Sequence, residues 1–259
     1  KVWREGYSGG SRSLRVVLSL LTLLATLVGC TTMSEHTFRK LGRGTEKDSL
    51  RVPVNVAPVE APPAEGFPLD NDALRILRSY GPTIKSYSAE YGFDWRLILA
   101  IMKQESRFVP HAESHKGASG LMQIMPATSM DVARVLDIQD MSHPKNNIRG
   151  GIYYLRWLYD LFGDAEEGDR IKLTLAAYNA GARRIYDAQD VAAYFDEKPT
   201  SWVAVRDALP LLSKRYYTLH RNIWPQEKPN GGWFGNSRQT VRYVENIMEY
   251  YDEYRLLFN

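Results

Sequence analysis

At 259 residues with a formal net charge of +3, the chain is long enough to bury a full core, and its composition is that of an ordinary globular protein. No Lys/Arg block stands out, so charge gives no case for nucleic-acid binding and none is expected. The five histidines and one cysteine are scattered without metal-ligand spacing, which excludes an internal disulfide and a zinc cluster; neither a metal nor a cofactor is expected.

The N-terminal region reads as a targeting segment. Arg12 and Arg15 precede the apolar run VVLSLLTLLATLV, which ends at Gly29 and Cys30, giving the charged start, short apolar middle and small-residue cleavage site of a secretory signal. The run is too short for a comfortable membrane span. Leu27-Val28-Gly29-Cys30 resembles a bacterial lipobox, which implies a lipidated Cys30 and a membrane anchor of several acyl chains. Thr31 follows where an Asp would signal retention at the inner membrane, so the resemblance implies the outer membrane, facing the periplasm. From 31 to 68 there is no sustained period, and prolines at 53, 58, 62, 63 and 68 favour an extended, semi-rigid tether. The expected organisation is a signal peptide over 1–30, a proline-rich tether over 31–68 and a folded domain over 69–259.

Beyond Pro68 the apolar spacing turns helical. Leu74, Leu77, Ile84, Tyr87 and Tyr91 form one seam, with a kink or restart expected at Gly81-Pro82. Asp94 can cap a helix from Trp95 to about Glu105 that is apolar nearly all round, the mark of a buried central helix. After a Gly-rich loop, Pro126 or Thr128 can start a helix through Leu136. Asn146 can cap another to Phe162, and Asp169 a third that ends at Gly181. Ser201 to Asn222 reads as helical with a break at Pro210, and Gln239 to Leu257 as the closing helix. The segment DVAAYFDEKP has no assignment, and the long span from Gly181 to Tyr243 is expected to shape a lid or a groove wall. Strand signals are few, with one small hairpin near Ala118 to Ile124 allowed. The expected fold is mostly α.

One residue asks for an explanation. Glu105 ends the apolar run WRLILAIM and, in a helix, shares a face with Met102, Ile101 and Ile98. Burial there and the negative end of the helix dipole both disfavour the ionised form, which keeps a proton on the carboxyl as a general acid requires. The alternative is a helix-end glutamate paired with Lys103 or Arg107 in solvent, where it would be ionised.

Further segments bear on that choice. In AESHKGASGLMQIMP, Gly117 and Gly120 bracket small residues, which would let backbone approach a ligand, and Gln123 is a lone amide in an apolar string. Taken singly, Met122 and Met125 read as core rather than site, and Tyr178 and Tyr243 as either. LAAYNAG puts Tyr178 and Asn179 at a helix end, and VRYVENIMEYY is an aromatic-rich helix. Together, Glu105-Ser106, the Gly120 to Gln123 run, the Ala177 to Gly181 run and Tyr243-Val244 resemble lytic transglycosylases of the SLT type, relatives of goose-type lysozyme, over about Leu74 to Tyr251. The C-terminal part looks like the catalytic domain of the F-type membrane-bound murein transglycosylases.

The resemblance implies a lysozyme-like helical domain that acts on the glycan strands of peptidoglycan and cuts the MurNAc-GlcNAc β-1,4 bond to leave 1,6-anhydro ends. A hydrolase of the same fold and a non-catalytic glycan-binding scaffold are the alternatives. It implies Glu105 as the sole acid and base. Ser114, Gln123 and Asn179 would bond the sugar or orient Glu105, Met122 and Met125 would line its apolar face, and Tyr178 and Tyr243 would flank the acid. Glu113 lies in a polar loop and reads as solvated. The sequence departs from the family at Gln239, where a Glu is common; the role of that acid in orienting substrate is thereby in doubt.

Overall fold

Asp70 opens the described chain by capping its first helix. One carboxylate oxygen accepts the N–H groups of Asp72 and Ala73, and α1 then runs Asn71–Glu90. The structure is a computed structural model that describes residues 70–258. The expected signal segment, Cys30 and the expected tether lie outside the described residues.

The restart expected at Gly81-Pro82 does not occur, because α1 runs through Pro82. Pro82 is exposed while Ala73, Ile76 and Ile84 on either side of it are buried, so packing of the two halves outweighs the backbone bond that proline deletes. The buried stripe also falls on Ala73, Ile76, Ile84 and Ser88, with Leu77, Tyr87 and Tyr91 at its edge.

The second helix, α2, runs Trp95–Ser106 behind the Asp94 cap, whose side chain accepts the Arg96 N–H at 2.9 Å. Leu97 to Met102 are all buried, as expected of a central helix. It ends where Arg107 and Phe108 turn left-handed, with φ of 48° and 62°; Phe108 is fully buried, and its packing offsets the strain of that backbone. The third helix, α3, is Pro126–Leu136, starting at the proline.

Two helix starts differ from expectation. The fourth helix, α4, is Pro144–Asp160, so Pro144 begins it and Asn146 is already inside, its amide donating to the Asp140 carbonyl at 2.8 Å. The fifth, α5, is Glu167–Ala180, which leaves Asp169 in the first turn, where its charge favours the positive end of the dipole without capping it. Gly181 ends α5 as expected and, at φ 88°, passes the chain directly into α6, Ala182–Tyr194, which takes in the first half, DVAAY, of the unassigned DVAAYFDEKP stretch. The chain continues as α7 (Trp202–Ala208), two short 3-10 turns around and after Pro210, α8 (Tyr217–Ile223) and α9 (Ser237–Leu257).

The fold is mostly α. Where a hairpin was allowed there are only isolated bridges, Glu113 with Ser119 and Ser119 with Ile124. Helix α2 packs on α9 and α1, and α5 on α4, α6 and α9, so the C-terminal ends of α2 and α5 meet the first half of α9. No helix among the described residues is long and apolar enough to cross a membrane.

Candidate active site

Glu105 is the penultimate residue of α2, and the Tyr243 hydroxyl on α9 donates to its Oε1 at 2.5 Å. Burial pushes the Glu105 carboxyl up to about 7, and the Tyr243 bond, which favours the ionised form, opposes it only in part. The solvent-paired alternative is not adopted. Lys103 points away to Asp70 at 2.9 Å and Glu253 at 3.6 Å, and Arg107 makes no ion pair among the described residues.

Tyr178 flanks the acid on a second side. Its hydroxyl donates to the Met122 carbonyl at 2.8 Å, its ring lies 5.4 Å from that of Tyr154, and burial raises its own pKa well above the ordinary phenol value. Neither tyrosine near Glu105 therefore ionises at neutral pH, and both stay hydrogen-bond donors.

The loop below the acid is built around Asn147 of α4, a residue the sequence reading passed over. Its Oδ1 accepts the Met122 N–H at 2.9 Å and its Nδ2 donates to the Ser119 carbonyl at 3.0 Å. Gly120 sits against that amide at φ 80°, and a Cβ there would come within 2.4 Å of it. The glycine thus makes room for Asn147, where the sequence suggested room for a ligand. Gln123, at φ 46°, donates from Nε2 to the carbonyls of Ala112 and Gly120, both at 2.9 Å. Ser114 Oγ accepts the Ala118 N–H at 3.0 Å, and Asn179 Oδ1 accepts the Thr240 hydroxyl at 2.8 Å.

These residues surround a cleft of about 500 Å³. Glu105, Ser114, Gln123, Met125, Tyr178 and Asn179 line it, with Tyr243 packed behind Glu105. Met125 is exposed to the cleft, but Met122 is not a lining side chain. It is fully buried against Gly151 of α4, and only its main chain serves the site, through Tyr178 and Asn147. Glu113 is exposed and lies outside the lining, as expected of a solvated loop residue.

The far wall was not foreseen residue by residue. Trp233, Phe234, Gly235 and Asn236 form it between α8 and α9, with Gln239 and Thr240 from the start of α9. Helix α6 holds this segment in place. Buried Asp187 accepts the N–H groups of Asn230 at 2.9 Å and Gly231 at 2.6 Å, and Asp190 accepts the Trp224 indole N–H at 2.9 Å. The cluster of glycines and aromatics in NGGWFGN was the available signal for a wall of this kind. No group of three or more His, Cys, Asp or Glu among the described residues is placed to hold a metal ion.

Residues 82–200 of this helical domain, which include Glu105, the glycine-bearing loop and Tyr178, fit the family described as Transglycosylase SLT domain. Among its relatives are the membrane-bound lytic murein transglycosylases F of Desulfosudis oleivorans, 34% identical over 177 residues (68% of this chain, 36% of the relative), and of Vibrio cholerae, 36% identical over 179 residues (68% and 30%). The chain spans about a third of the length of these curated relatives. The 70 kDa soluble lytic transglycosylase of Escherichia coli superposes with a TM-score of 0.49 at 25% identity, over 70% of this chain and 24% of that one.

Proposed function

We propose that the domain is a peptidoglycan lytic transglycosylase that cleaves the β-1,4 bond between MurNAc and GlcNAc and leaves a 1,6-anhydro end. The observation that carries this reading is a single carboxyl group, Glu105, whose pKa burial raises to about 7, in a cleft whose lining holds no second carboxylate among the described residues. Glycosidases ordinarily use two carboxylates, one as acid and one as base or nucleophile. With one, the nucleophile comes from the substrate, where an internal hydroxyl already held in place has a large effective concentration.

In this reading Glu105 gives its proton to the glycosidic oxygen as the bond to the anomeric carbon breaks. The resulting carboxylate then takes the proton of the MurNAc 6-hydroxyl as that oxygen bonds to the anomeric carbon. The acid ends in its starting state and no water is consumed. Tyr243 donates to the carboxylate when it is charged, and Tyr178 fixes the Met122 main chain beneath it. Ser114, Gln123 and Asn179 offer polar groups to the sugar, and Met125 an apolar face. The names of the relatives, lytic murein transglycosylases, support the substrate class, and their description as membrane-bound supports an anchor at Cys30.

Mass spectrometry of sacculi digested with wild type and with Glu105→Gln tests the reaction. Anhydro-ended fragments from wild type alone are expected. Reducing ends would make the enzyme a hydrolase of the same fold, and equal clearing by the Gln variant would leave Glu105 without its role. Incorporation of labelled palmitate, lost in Cys30→Ala, tests the anchor.

A further inference from the structure

Arg184 stands in the first turn of α6 and lines the cleft. Its Nη1 donates to the Ala180 carbonyl at 2.7 Å, and its guanidinium lies over the Phe234 ring at 5.1 Å. These contacts fix the group without neutralising it, and its enclosed Nε has no hydrogen-bond partner. Asp187, one turn along the same helix, makes no ion pair with it and instead accepts the Asn230 and Gly231 amides. Arg184 consequently makes no ion pair among the described residues.

The rest of the lining does not supply the missing charge. Among the described residues of the lining, the other Lys, Arg, Asp or Glu side chains are Lys116 and Glu105; Lys116 is a second cation and Glu105 is held toward its neutral form. Gln239, also in the lining, is uncharged. The free cleft therefore presents an immobilised guanidinium and an exposed ammonium with no exposed anion to meet them. A planar guanidinium held at one nitrogen and by one ring face, with donors to spare, suits a carboxylate better than a neutral sugar hydroxyl.

We propose that Arg184 recognises a carboxylate carried by the glycan strand, and so is a specificity-determining residue of the cleft. This rests on the glycan-cleaving reading above. The acid can come from two places: the lactyl group of MurNAc, free where no peptide is attached, or a carboxylate of an attached stem peptide. Both present the same chemistry to the guanidinium.

Binding by the full chain carrying Glu105→Gln, which leaves ligands intact, tests this by calorimetry. The probes are a peptide-free GlcNAc-MurNAc tetrasaccharide, its peptide-bearing form, the methyl ester of each, and chitotetraose. At least one acid is expected to bind about tenfold more tightly than its ester, a difference in the range of one charge-assisted hydrogen-bonded pair, and the gap should shrink as salt rises. A gap in the peptide-free pair assigns the lactyl group, and a gap confined to the peptide-bearing pair assigns the stem. Adding Arg184→Gln should abolish the gap, and Arg184→Lys should retain part of it. Equal affinity for every acid and its ester overturns the proposal using the Glu105→Gln protein alone, whatever the second variants do to folding. A gap that survives in a folded Arg184→Gln protein overturns it as well. Glycans that bind with no acid-ester gap leave the glycan-cleaving reading standing, whereas failure of every glycan to bind overturns both.

Discussion

The Tyr243 hydroxyl and the Glu105 carboxyl meet at 2.5 Å across the packed faces of α9 and α2. The phenol favours the charged form of the acid while burial disfavours it, and burial dominates. The acid thus sits near the pH at which it can both give and take a proton. Replacing Tyr243 by Phe removes the opposing effect, so the carboxyl should titrate above its present value of about 7. The high-pH limb of the rate profile should move upward by roughly half to one pH unit, equivalent to about 1 kcal/mol of lost hydrogen bond. A limb that moves downward would mean that Tyr243 does not act on the charged form.

The wild-type profile follows from the same pair. The rate should hold through mildly acidic pH and fall about tenfold for each pH unit above roughly 7, because only protonated Glu105 can open the reaction. Substituting Gln should cost on the order of a hundredfold to ten-thousandfold in kcat.

Folding stability also falls as pH rises, over a lower window. Glu105 titrates at about 7 in the fold, against an ordinary value of 4.5, so as pH rises between those values the unfolded chain releases its proton first. The native state is therefore penalised progressively across that window, by up to roughly 3 kcal/mol above it. Glu105→Gln escapes the penalty. In urea unfolding it should match wild type near pH 4 and exceed it near pH 8; a Gln variant less stable at pH 8 than at pH 4, relative to wild type, would contradict the burial of the charge.

Asn147 and Gly120 should be coupled. Asn147→Ala leaves the enclosed Met122 N–H without its acceptor and should cost about 1–3 kcal/mol. Gly120→Ala drives a methyl into the Asn147 amide and strains a backbone at φ 80°. Combined, the two should cost less than their sum, because the clash needs the amide; strict additivity in denaturant midpoints would refute the contact.

The far wall should loosen when its latch is cut. Asp187→Ala strips acceptors from the Asn230 and Gly231 amides, so the 225–236 segment should become readily cleaved in limited proteolysis while the body of the domain resists. KM should rise severalfold with kcat changed much less, since Glu105 and its tyrosines lie on other elements. A fall in kcat alone would place the latch in the chemistry instead.

How much of this was legible varies with the element. The α2 helix could be read from its Asp94 cap and unbroken apolar run, and α9 from its spacing, because both are written in local sequence. Pro82 misled because a proline signals a local cost, and the packing that outweighs it comes from distant residues. The α6 helix was missed for a related reason. It starts on Gly181 without a side-chain cap and buries Asp187 on what should be an apolar face, a choice sensible only once the Asn230-Gly231 turn lies against it. Most of the proposed site residues gather at the cleft as their motifs implied. Met122 does not, since a methionine suits a core and a groove equally and only the neighbouring Gly151 decides between them.

Asp70 does more than cap α1. Its second oxygen takes the Tyr254 hydroxyl at 2.7 Å and the Lys103 ammonium at 2.9 Å, so the point where the preceding chain enters the domain is riveted to both α2 and α9. Those are the two helices that carry Glu105 and Tyr243. One carboxylate therefore ties the entry of the domain to both helices of the site, and its removal would undo the cap and both cross-links together.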